Sequence, residues 1–232
     1  LSRGLAYSGT GRAQACMGVA AADLSGDGKL DLLVTNFYKD YNTLYTQVSD
    51  GIFSDETNVS GLHLASHRKL AFGTQAFDAD LDGDLDLVVT NGDVVDFSGS
   101  NPDRLYRQSP QFLLNDGTGH FSEVAGNELG EYFLGKYLGR GLALLDFNRD
   151  GLEDFAVSHI NSPAAVVINS SNRSGQFIGI RLVGVESCRD AVGSRVKLTT
   201  GGKTHKRQLT AGSGYMASNE PHLIFGLPDG VP

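Results

Sequence analysis

The chain has 232 residues, with 27 Asp or Glu against 19 Lys or Arg, for a formal charge of −8. That acidic balance argues against nucleic acid, which favours a basic stripe, and no run of 18 apolar residues is present to span a membrane. Apolar residues make up 40%, enough for a packed core, and 30 glycines among short apolar runs, with no Trp, point to turn-rich all-β architecture.

In chain order, one pattern recurs three times. "AADLSGDGKLDLLVTN" (21–36), "AFDADLDGDLDLVVTN" (76–91) and "LLDFNRDGLEDFAVSH" (144–159) align without gaps. In each unit a small or apolar run ("MGVAAAD", "FGTQAFD", "GRGLALLD") leads into an acidic loop, and a β-rich run follows. The first unit continues into "NTLYTQVSDGIFSDET", a hairpin breaking at Ser49-Asp50-Gly51. The second carries a long insertion over 92–110 and then "QFLLNDGTGHFSEV", which breaks at Asp116-Gly117. Residues 127–140 have room for a helical turn. The third unit adds "AAVVINSSNRSGQFIGIRL", expected to turn near 170–175. About four short strands per unit make a propeller blade or something close to it.

The acidic loops read D-x-[DSN]-x-D-G-x-x-D. The first offers Asp23, Ser25, Asp27, Lys29 and Asp31; the second Asp78, Asp80, Asp82, Asp84 and Asp86; the third Asp146, Asn148, Asp150, Leu152 and Asp154. Oxygen side chains at positions 1, 3 and 5 converge if the chain winds tightly, and the Gly at position 6 permits that winding. Position 7 (Lys29, Asp84, Leu152) is expected to supply a backbone carbonyl, which leaves the Asp84 carboxylate solvated. The aspartate at position 9 is expected to close the site as a bidentate ligand. Six to eight oxygens suit Ca²⁺, in up to three ions, better than Mg²⁺, and the lack of Cys and His ligands argues against zinc, copper or iron. An ion-free Asp/Gly turn is the bland alternative; three loops in register weigh against it.

These residues resemble the FG-GAP or VCBS repeat of integrin-type propellers. Residues 189–230 resemble an ASPIC/UnbV domain through Arg189-Asp190, Gly193-Ser194-Arg195-Val196, Gly201-Gly202, Gly212-Ser213-Gly214-Tyr215 and Phe225-Gly226-Leu227. That order of parts is similar to the cartilage-acidic-protein-1-like (CRTAC-type) family. The resemblance implies an all-β chain: calcium-binding propeller blades over 1–174 and a small β-sandwich or barrel-like domain over 175–232. It implies a secreted or cell-surface protein with no defined reaction. Ser25 departs from the usual Asp or Asn and implies a weaker first site.

Closed propellers need about four to eight blades, and three leave open edges. The start at Leu1 rather than Met and the blade deficit fit either part of a longer propeller or completion by neighbouring copies. In the last 58 residues, "SRVKLTT" and "KTHKRQLT" flank Gly201-Gly202 as a hairpin whose basic face suits an acidic neighbour such as the blades. Cys16 and Cys188 cannot make a CxxC site; they either pair as one disulfide or stay separate thiols. Their positions, unexpected in the family, favour pairing. Sequons stand at Asn58, Asn169 and Asn172.

No HExxH, GxSxG, Walker or GxGxxG pattern occurs. The leading expectation is a non-catalytic, calcium-stabilised extracellular scaffold or adhesion protein that binds proteins or glycans. The alternatives are a homopolymer assembled through open blade edges and a carbohydrate-active enzyme using the 92–110 loop.

Overall fold

The computed structural model describes residues 2–172 and 175–228. Three antiparallel sheets follow the three repeats. The first blade is β1 (Cys16–Ala22), β2 (Asp31–Asn36), β3 (Thr43–Ser49) and β4 (Ile52–Asp55), paired in that order. After α1 (Leu62–Ser66), the second is β5 (Ala71–Phe77), β6 (Asp86–Asn91), β7 (Gln111–Asn115) and β8 (Phe121–Glu123). Two helical turns, α2 (Gly126–Leu129) and α3 (Glu131–Leu134), lead into β9 (Gly139–Leu145), β10 (Asp154–His159) and β11 (Ala165–Val167). The expected turns at Ser49-Asp50-Gly51 and Asp116-Gly117 join β3 to β4 and β7 to β8.

The third unit departs from expectation. Its sheet has three strands, β11-β10-β9, and the stretch expected as its fourth, β12 (Gly175–Ile180), pairs with β15 (Leu223–Pro228) instead. Residues 173 and 174 of the expected turn lie outside the described residues. Between those partners, β13 (Arg195–Thr200) and β14 (Lys203–Gln208) form the anticipated hairpin, Thr200 opposite Lys203. Gly201 and Gly202 both take positive φ (56° and 81°), as a two-residue turn matched to strand twist requires.

The inner strands sit side by side, β1 against β5 and β5 against β9. A core fills each gap. Ala20, Leu33, Leu44, Leu85, Leu87, Val89 and Leu113 pack between the first two blades. Phe77, Val88, Phe112, Leu142, Leu144, Phe155 and Val157 pack between the second and third. Every residue of β6 is buried, because Leu87 and Val89 face one neighbour and Val88 the other.

Hydrogen bonds stitch blade to blade in a repeated way. Thr35 accepts from the Gly18 amide (2.8 Å) and donates to the Phe72 carbonyl of the next blade (2.7 Å). Thr90 accepts from Gly73 (3.1 Å) and donates to the Arg140 carbonyl (3.1 Å). Ser158, at the same place in the third blade, accepts from Gly141 (2.9 Å) but is exposed. A second stitch runs the other way: Asn115 donates to the Leu24 carbonyl (3.0 Å) and Asn169 to the Ala79 carbonyl (2.8 Å). The Asn169 sequon thus has its amide nitrogen committed to a blade contact.

Candidate cation loops

Each acidic loop links the inner strand of its blade to the second strand. Position 6 takes positive φ in all three, at Gly28 (83°), Gly83 (97°) and Gly151 (87°). Position 4 does so too, at Gly26 (72°), Leu81 (64°) and Arg149 (61°). The second left-handed residue is unmarked in the sequence, since Leu and Arg are poor choices there. Leu81 is fully buried against Leu152 and Ile224, and that packing offsets the backbone cost.

Position 1 accepts the amide of position 6: Asp23 from Gly28 at 2.9 Å, Asp78 from Gly83 at 3.1 Å, Asp146 from Gly151 at 3.1 Å. Position 5 accepts the amide of position 7: Asp27 from Lys29, Asp82 from Asp84 and Asp150 from Leu152, each at 2.8 Å. These bonds wind the chain so that side-chain oxygens turn toward one point.

The convergence is closest in the second loop, where one oxygen from each of Asp78, Asp80 and Asp82 lies within 4.8 Å of the others. Asp78 Oδ1 is buried with no hydrogen-bond partner, and so is Asp23 Oδ1. An orphaned oxygen on a carboxylate that belongs to a cluster of acids fits a bound cation, because burial without a partner is costly. Burial raises the Asp78 carboxyl to about 7; Asp82 and Asp80 push it further, against the lowering effect of Arg207. Asp82 is also raised by burial.

The flanking loops are less poised. Asp27 is exposed and bonded to Lys29 Nζ at 2.5 Å. Burial works against its ionised form, yet the Lys29 contacts outweigh it and hold the carboxyl below its ordinary range. In the third loop Asn148 exchanges hydrogen bonds with Asp150 (2.9 and 3.1 Å).

The position-9 aspartates stand apart from the expected bidentate arrangement. Asp31 accepts Leu24 and Ser25 amides on Oδ2 (3.0 and 2.9 Å) and the Gln47 amide on Oδ1 (2.9 Å). Asp86 accepts Ala79 (3.2 Å) and Asn115 (2.9 Å); Asp154 accepts Phe147 (2.9 Å) and Asn169 (2.7 Å). All three are buried. Each ties the start of its loop to the third strand or, in the third blade, to a residue two positions past it. Burial raises Asp86 to about 8 despite the Asn115 and Ala79 bonds. Asp84 is half-buried rather than solvated, its carboxylate lying against Gly117 of the β7–β8 turn. Its backbone stays at position 7.

Sequence reading left out the C-terminal contacts to all three loops. Lys206 Nζ donates to the Gly28 carbonyl (2.6 Å), and the Gly226 amide to Asp78 Oδ2 (3.0 Å). A Cβ at Gly226 would collide with Asp78 and the Leu81 backbone, which accounts for glycine in the Phe225-Gly226-Leu227 triplet. Glu220 accepts from the Asp146 amide (3.2 Å) and Arg149 Nη1 (2.8 Å). Residues 213–220 also touch each inner strand: Gly214 pairs with Val19, Ser213 and Asn219 donate to Gln75 Oε1, and the Glu220 amide donates to the Leu144 carbonyl. The one hint in sequence was the basic face.

The long 92–110 loop is fastened by Arg104, which pairs with buried Asp93 (2.5 and 2.9 Å) and lies over the rings of Phe97, Tyr38 and Phe37. Asn91 donates to the Ser109 carbonyl (3.0 Å) at the far end. Cys16 and Cys188 are both exposed free thiols, so of the two readings the unpaired one holds.

Comparison with known protein families matches two segments. Residues 23–89 match the FG-GAP-like repeat, and residues 184–231 match ASPIC and UnbV. These two matches, in this order along the chain, are consistent with the CRTAC-type family. It is 25% identical over 220 residues to cartilage acidic protein 1 of Xenopus tropicalis, covering 90% of this chain and 31% of that protein. The chain thus spans about a third of that relative's length. Among the described residues no helix is long and apolar enough to cross a membrane.

Proposed function

We propose that this chain is a calcium-stabilised, secreted or cell-surface scaffold that binds other proteins or glycans and is not catalytic. The observation that supports this reading best is the second loop: three carboxylate oxygens within 4.8 Å of one another, beside the buried, unpartnered Asp78 Oδ1. The Asp78, Asp80 and Asp82 carboxylates and the Asp84 carbonyl would hold the ion, with Asp86 fastening the loop and offering its remaining lone pairs. In the first loop the donors are Asp23, Ser25, Asp27, the Lys29 carbonyl and Asp31. In the third they are Asp146, Asn148, Asp150, the Leu152 carbonyl and Asp154. A bound Ca²⁺ would neutralise the clustered carboxylates and crosslink each loop. The division into blades over 1–174 and a C-terminal unit over 175–232 belongs to the same reading, the second unit capping the loop-bearing end of the first.

Calorimetric titration with CaCl₂ tests it. Binding is expected, and Asp80→Asn should weaken the tightest site by about tenfold or more through loss of one charged ligand. Equal heats for Asp80→Asn and the parent chain would remove the second loop from the ligand set; no uptake by the parent chain would end the cation reading.

A second reading, self-assembly through open blade faces, is favoured by the stitch series. Thr35 and Thr90 each reach a carbonyl in the next blade, whereas Ser158 is exposed, next to a β11 face with Val166 49% and Ile168 43% exposed. The carbonyl of Met17 holds the position in the first blade that Phe72 and Arg140 hold in the others. A second copy docked head to tail would pair Ser158 with Met17. Sedimentation velocity in calcium is expected to show concentration-dependent association that Val166→Lys abolishes; one unchanging monomeric species for the parent chain would rule this reading out.

A further inference from the structure

Arg207 stands where the three acidic loops come together. It lies opposite Val196 in the β13–β14 ladder. It lines a cavity of about 660 Å³ between the inner strands and the C-terminal segment, and a smaller one of about 200 Å³ between the first and second loops. The carboxylates acting on it are Asp78, Glu153, Asp23 and Asp84, drawn from all three blades. Yet no ion pair within 4.0 Å joins Arg207 to an acid among the described residues. Its Nη2 is buried with no hydrogen-bond partner, Nη1 donates only to the Lys206 carbonyl at 3.3 Å, and Phe225 lies 5.3 Å beneath the guanidinium. Glu153, half-buried, borders the larger cavity. A fixed positive charge is therefore enclosed amid several acids without contacting any of them. Opposite charges attract strongly in a medium that screens poorly, and a divalent ion entering the same region meets the guanidinium as a like charge.

We propose that Arg207 is the resident counter-charge of the converging cation loops: it steadies their acids in the ion-free molecule and, by repulsion, weakens their hold on a divalent ion. This rests on the cation reading above. The loops themselves are positioned by other contacts, from Lys206, Gly226 and Glu220, so removing the Arg207 charge leaves the clamp in place.

The test is calorimetric titration of the whole chain with CaCl₂, paired with melting in EDTA. Arg207→Gln is expected to bind calcium about fivefold tighter or more while melting at a lower temperature in EDTA. Arg207→Lys, which keeps the charge, should stay near the parent chain on both readouts. If Arg207→Gln does not fold, Arg207→Met keeps the apolar stem and carries the same expectation. A charge-free variant that binds calcium no tighter than the parent chain overturns the proposal while leaving the cation reading standing. A parent chain that takes up no calcium overturns both. A merely structural arginine would lower the melting temperature without raising the affinity.

Discussion

Chelation with EDTA is expected to lower the melting temperature by about 10 °C or more, and calcium to restore it. A ligand held at 100 times its dissociation constant adds ~2.7 kcal/mol per site, and 1 kcal/mol moves a chain of this size by roughly 2–4 °C. The effect should grow with pH. Burial raises Asp78 to about 7 and Asp86 to about 8, above the ordinary value near 4. The ion-free fold therefore binds more protons than the unfolded chain between roughly pH 4 and pH 8, and its stability falls as pH rises through that window. Three pK units on Asp78 alone correspond to ~4 kcal/mol. With calcium bound, the ionised carboxylates have a partner and the decline should flatten. Melting curves recorded at pH 5, 6, 7 and 8, with calcium and with EDTA, should diverge toward pH 8. A gap that stays constant or narrows would contradict this.

Much of the molecule was legible in its sequence, for definable reasons. The three loops were found because oxygen side chains and glycine recur at fixed offsets, and these offsets correspond to the hydrogen bonds seen at Asp23, Asp78 and Asp146. Hairpin turns were legible at Asp116-Gly117 and Gly201-Gly202 because their backbone angles demand glycine. Strand partners were not. The apolar run at 175–180 specifies a strand and leaves its neighbour open, and it joins β15, which reaches the second loop only because Gly226 lacks a side chain. Leu81 and Arg149 gave no sign of a left-handed backbone, since residue preference does not put them there; Leu81 is held by its packing against Leu152 and Ile224. Arg207 looked like one of several basic residues in "KTHKRQ". Only the register of β13 with β14, and the docking of that ladder onto the loops, give it a place apart from Lys203 and Lys206.

The role of the position-9 aspartates sets up the other large effect. Their place at the end of each loop pattern suggested a metal ligand, and their oxygens also meet backbone amides that sequence cannot display. Asp31→Ala would leave the Leu24, Ser25 and Gln47 amides without an acceptor. Each buried donor left unpaired costs about 1–3 kcal/mol, so a loss of ~3–5 kcal/mol and a fall of roughly 10 °C are expected. Asp31→Asn should lose nearly as much, because one carboxylate oxygen becomes an NH₂ facing N–H donors. Both losses should persist in EDTA, whereas Asp80→Asn should lower the melting temperature by more in calcium than in EDTA, since it removes a charged ligand from the proposed site. Urea unfolding of the Asp31 and Asp80 variants in the two buffers separates the roles. If the Asp31 losses vanished in EDTA, cation ligation would be the whole of that carboxylate's contribution, and the anchoring of the loop would have to come from the amide bonds at positions 1 and 5.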